Sequence, residues 1–159
     1  MKRYLLLGAV ALAAVVFPDV ASAQSGHFVT GGANAPTCSD VGTQVQCRGK
    51  VAGLGGTTFE ITIEAPGTAT VECTNPGGNV APGQDTAVTV AGTTGPQPTP
   101  RNGAAAFNIT TDDPEPLPAT PTCPNEMWTP NIVDVTFTNA TLTLLEDGVE
   151  SDQIVVPVT

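Results

Sequence analysis

Apolar residues recur at every second position through most of this chain. That period commits it to β-strands rather than helices. Val45, Cys47, Gly49, Val51 and Gly53 alternate with polar Gln46, Arg48 and Lys50. Phe59, Ile61 and Ile63 alternate with Thr58, Glu60, Thr62 and Glu64. Ala69, Val71 and Cys73 alternate with Thr68, Thr70 and Glu72, and Pro66-Gly67 between the two runs reads as a tight hairpin turn. Val88 and Val90 form a shorter run, and Ala105, Phe107 and Ile109 another. Further on, Val133, Val135 and Phe137 share one parity, while Ala140, Leu142 and Leu144 share the other. A one-residue slip turns every side chain over, so a bulge or bend near Thr138-Asn139 is expected to restore the buried face. Asp147-Gly148 turns the chain into a last strand, Gln153 to Val158, where Pro157 suits an edge. The pattern predicts seven to eight short strands and no helix, packed as two antiparallel sheets.

The N-terminus is of another kind. Met1-Lys2-Arg3 is basic, Tyr4 to Phe17 is apolar and uncharged, and Ala21-Ser22-Ala23 has the small residues of a cleavage site. This reads as a signal peptide, residues 1–23, because the apolar stretch is too short to span a bilayer. Residues 24–37 are expected to be a flexible segment and residues 38–159 the β-sandwich domain. The full chain has 5 Lys+Arg against 15 Asp+Glu, a net charge of −10. Lys2, Arg3 and Asp19 leave with the signal, so the secreted chain would carry 3 basic and 14 acidic residues. Such a surface is a poor match for nucleic acid, which needs clustered cations. No later segment is apolar enough for membrane insertion, so the protein is expected to be secreted and extracellular. Prolines concentrate between Pro96 and Pro130, and Thr93–Arg101 and Asp112–Pro130 are read as extended surface connections.

Cys38, Cys47, Cys73 and Cys123 form an even set in an exported chain, which argues for two disulfides. Three connectivities are possible. Cys38–Cys47 with Cys73–Cys123 is preferred, because the first pair is close enough to close a hairpin. Loop entropy assigns these roughly 2.7 and roughly 4.1 kcal/mol. A zinc site has no CxxC pair to build on.

Little in the chain supports catalysis. A Ser-His-acid triad needs a positioned His, and His27 sits in a Gly- and Asn-rich tail. Glu60, Glu64 and Glu72 are expected on neighbouring strands, sharing one solvated outer face. Two carboxylates in one cleft could hydrolyse a glycoside. Glu146, Asp147, Glu150 and Asp152 are the candidate metal ligands, because calcium takes several hard oxygens. Their spacing matches no EF-hand, and solubility with edge protection is the competing reading. No cofactor is expected. Trp128, beside Cys123, is either packing against the core or an exposed binding anchor.

The runs Cys47-Arg48-Gly49-Lys50-Val51-Ala52-Gly53-Leu54, Cys73-Thr74-Asn75-Pro76-Gly77-Gly78-Asn79, Cys123-Pro124-Asn125 and Val135-Thr136-Phe137-Thr138 resemble a family of small secreted actinobacterial-type proteins without an assigned function. The chain is also similar, more distantly, to the neocarzinostatin-type apoproteins, which are acidic, secreted and disulfide-bonded. These resemblances imply an all-β, immunoglobulin-like antiparallel β-sandwich, and the second implies a carrier of a small apolar ligand. The expectation is a secreted, non-enzymatic module that acts by binding a protein or cell-surface partner. The alternatives are the apolar carrier, with Gly49 and Gly53 lining its cleft, and a carboxylate-based hydrolase.

Overall fold

The computed structural model describes residues 25–159, and the expected signal peptide lies outside them. The strands are β1 (His27–Phe28), β2 (Thr37–Asp40), β3 (Val45–Ala52), β4 (Thr58–Thr74), β5 (Val80–Pro82), β6 (Thr86–Thr93), β7 (Gln97–Pro98), β8 (Ala104–Thr110), β9 (Thr129–Phe137), β10 (Asn139–Glu146) and β11 (Val149–Pro157). They form two antiparallel sheets. In the first, β3 pairs with β8 along one edge and with β1 and β2 along the other. In the second, β4 is the spine. β5, β6 and β7 follow one another along one of its edges, β9 and β10 along the other, and β11 closes the sheet against β10. Eleven strands are present among the described residues, against the seven to eight read from the alternation, because β4 merges two of the expected runs while the short pieces β1, β2, β5 and β7 add to the count.

Pro66-Gly67 does not turn the chain back on itself. No hairpin forms there: β4 is a single strand of 17 residues. Odd-numbered residues from Phe59 to Cys73 keep one parity throughout, with Ala65 and Ala69 fully buried beside Ile61, Ile63 and Val71. β10 pairs with β4 as far as Glu64, and β9 takes over at Gly67. Pro66 therefore falls where one ladder hands over to the next, a place that tolerates a residue without an N–H. Glu60, Glu64 and Glu72 consequently share one strand rather than neighbouring ones.

The expected irregularity at Thr138 is present. Gly67 faces Phe137 and Glu64 faces Thr141, so three steps on β4 meet four on β9–β10. The extra residue lets Phe137 and Ala140 both point inward, as their burial requires. The Asp147-Gly148 turn is also present. Both residues have positive φ, 48° and 80°, as a two-residue hairpin between paired Glu146 and Val149 demands.

The described part of the segment expected to be flexible, residues 25–37, contains β1 and reaches the start of β2. β1 pairs with the end of β3, and Phe28 is buried edge-on against Phe107 with ring centroids 5.8 Å apart. At the other terminus, the N–H of Thr159 donates to the Cys38 carbonyl, and that of Asp40 donates to the Thr159 carbonyl. Both sheets contribute to one buried core, with Val45, Cys47, Val51 and Ile109 from the first and Ile61, Ile63, Leu142 and Leu144 from the second.

The disulfides are Cys38–Cys47 and Cys73–Cys123. The first joins residues directly opposite each other on β2 and β3. The second fastens the proline-rich connection to the spine strand, and the Gln84 N–H donates to the Thr122 carbonyl alongside it. Among the described residues no helix is long and apolar enough to cross a membrane.

Candidate functional site

The acidic C-terminal hairpin turns inward. Glu146 ends β10 on its core-facing parity, and its side chain is completely buried. Its Oε2 accepts from the Gly26 N–H at 2.8 Å, and its Oε1 accepts from the N–H groups of Gly55 and Gly56 at 2.6 and 3.0 Å. Burial is the largest single influence on this carboxyl and opposes its ionisation. The donors Gly56, Gly26 and Gly55, with the Ser151 hydroxyl, together outweigh it, so its pKa lies below the ordinary carboxylate value. Asp147 takes the next stretch of the same loop. It accepts from the hydroxyl of Thr57 at 2.6 Å and from the N–H groups of Thr57 and Thr58 at 3.0 and 2.9 Å. The Thr57 hydroxyl leads these interactions in lowering its pKa to about 2.

Asp152 accepts from the Phe28 N–H at 2.8 Å. Glu150 is exposed. Three of the four candidate metal ligands thus hold backbone N–H groups of residues 26–28 and 55–58. Among the described residues no group of three or more His, Cys, Asp or Glu side chains could hold a metal ion. The sequence showed the acids but not their donors, which lie roughly 90 to 120 residues away along the chain.

The other candidates are dispersed. Successive outward positions on a strand are ~6.6 Å apart, so Glu60 to Glu64 spans ~13 Å and Glu64 to Glu72 ~26 Å. Neither matches the roughly 5–9.5 Å between the carboxyls of a glycosidase. His27 Nδ1 lies 3.1 Å from the Ser25 carbonyl oxygen, and the Ser25 hydroxyl donates to the Gly53 carbonyl. Of the two glycines expected to line a ligand cleft, Gly49 borders an open depression of about 300 Å³ with Asn34, Thr37, Arg48 and Phe107, while Gly53 faces Ser25 and His27. Trp128 is half-buried against the core, and its neighbour Met127 is exposed.

One apolar feature of the surface escaped the sequence pattern. Val133 was expected to point inward with Val135 and Phe137, and it points out, 43 % exposed. The register shifts between Thr70 and Val71, where Asp134 faces Thr70 and Ile132 faces Val71. Val133 is the extra residue of a β-bulge, and Ile132 takes the inward place. Across β4, Val80 of β5 is 58 % exposed. With Thr70, Glu72, Ala81 and Pro82 they line an open depression of about 420 Å³ on the outer face of the second sheet. A second shallow cleft, about 280 Å³, lies between Thr43, the prolines Pro114 and Pro116, and Pro130 and Ile132 at the start of β9. The adjacent apolar pair Ile132-Val133 was the readable signal, since an alternating strand cannot bury both.

Comparison with known protein families, with characterised proteins and with solved structures finds no match to this chain.

Proposed function

We propose that this is a secreted, non-enzymatic module that acts by surface contact, through the outer face of its second sheet around Val80 and Val133. The observation that carries this is the bulge at Val133. A β-bulge re-aims a side chain at the expense of local pairing, and here it turns a valine to solvent beside another exposed valine and Pro82. The patch rests on β4, which is paired on both edges, so its shape is preset before contact. Two disulfides and the acidic composition suit a life outside the cell.

The test is binding of labelled protein to the envelope of the cells that secrete it. V80E/V133E is expected to weaken binding roughly tenfold or more, while T89E on the same sheet face leaves it unchanged. Equal binding by V80E/V133E, or turnover of ester, peptide or glycan substrates by the purified protein, would overturn the reading.

A further inference from the structure

We propose that the partner of this contact face is a second copy of the chain. Arg48 and Lys50 on the outer face of one copy's first sheet would meet Glu72 and Asp134 on the outer face of the next copy's second sheet. This rests on the contact face proposed above and names what covers it.

Charge is segregated by sheet. The strands of the second sheet contain seven acidic residues and no Lys or Arg. The strands of the first contain Arg48 and Lys50, with Asp40 their only acid, at the end of β2. Around the two cations lie Thr37 and Asn108, directly opposite Arg48, and Ala106, opposite Lys50. No carboxylate stands among them. Arg48 and Lys50 have no ion-pair partner among the described residues.

The spacings correspond. Arg48 and Lys50 are alternate residues of β3, ~6.6 Å apart along the strand. Asp134 faces Thr70, and Glu72 faces Asn131, which makes Asp134 and Glu72 diagonal neighbours across β4 and β9. Such positions lie roughly 7–8 Å apart. Each face therefore holds two like charges side by side. Val80, Pro82 and Val133 flank Glu72 and offer apolar surface to the methylene stems of Arg48 and Lys50. At physiological ionic strength the Debye length is ~8 Å, so the remote acidic residues of the two copies are screened while pairs in contact are not.

The two faces belong to opposite sheets, so the contact is head-to-tail and grows into chains or rings rather than closing as a two-fold dimer. Protein secreted from the full-length gene would be followed by sedimentation at ~0.15 M and ~1 M salt. Concentration-dependent association at the lower salt, weakened at the higher, is expected. R48E/K50E and E72K/D134K should each weaken it roughly tenfold or more, and an equimolar mixture of the two variants should restore it. Circular dichroism and urea midpoints verify that both fold, and R48Q/K50Q serves as the milder variant.

Monomer at every concentration, association untouched by R48E/K50E, or no rescue on mixing would each overturn the inference. So would a monomer whose Arg48 and Lys50 instead bind an anionic polysaccharide such as alginate. A strictly monomeric protein whose envelope binding still falls in V80E/V133E would overturn self-docking alone and leave the contact-face reading standing.

Discussion

Glu146 and Asp147 are adjacent carboxylates that hold one loop in place from opposite levels of burial. Glu146 is sealed in the core and satisfies the N–H groups of Gly26, Gly55 and Gly56, while Asp147 is exposed and holds Thr57 and Thr58. Removing the Glu146 carboxylate leaves buried donors without acceptors, so E146A is expected to cost on the order of 3 kcal/mol, read as a urea midpoint shift. Both groups have pKa values below their ordinary ones. Their stabilising contribution is therefore complete above the unfolded value and is lost as pH falls through the folded one. For Glu146 the loss sets in below 4.5, and for Asp147 it runs from 3.8 down to about 2. Urea midpoints between pH 7 and pH 2 should fall on acidification below that onset, and more shallowly in E146Q/D147N.

At the scale of elements, β4 shows what alternation could and could not tell. The unbroken odd parity from Phe59 to Cys73 was present in the sequence, and it outweighed the local turn signal of Pro66-Gly67. Gly67 has a packing role in place of a turning one. A Cβ there would come within 2.6 Å of Val135 Cγ1 and 2.8 Å of the Phe137 ring. Gly67→Val is expected to overpack this crossing and to destabilise by roughly 1–3 kcal/mol in urea or thermal melts. Two register shifts in the β9–β10 run decide which side chains face in. The one at Thr138 was readable, because the parity of the buried set changes across it. The one at Val133 was not assigned, because the choice between Ile132 and Val133 depends on how β4 is met.

For the whole molecule, the disulfides constrain at different ranges, with sequence separations of 9 and 50. Loop entropy predicts that C73S/C123S loses about 4 kcal/mol and C38S/C47S about 2.7 kcal/mol in equilibrium unfolding. The longer-range pair also pins the proline-rich connection, so C73S/C123S alone should open residues 112–128 to limited proteolysis. The native Cys38–Cys47 pair reinforces a ladder that the backbone already forms. The self-docking proposed above belongs to this scale too, because it depends on the opposite charge of the two sheets rather than on any single residue.

Composition and periodicity determined by themselves that this chain is all-β, that its sheets are antiparallel, which parity of β3, β4 and β10 is buried, and that four cysteines pair as two disulfides. These follow from local geometry, since a strand alternates every two residues whatever it pairs with. Tertiary structure alone decided that β4 runs straight through Pro66-Gly67, that Phe28 belongs to the core, and that the acidic hairpin clasps backbone from the far end of the chain. It also decided that Val133 faces out. Each depends on which distant segment lies alongside. An N–H donor 120 residues from its carboxylate leaves no periodic trace in the sequence, and the apolar pair Ile132-Val133 does not say which of the two faces in.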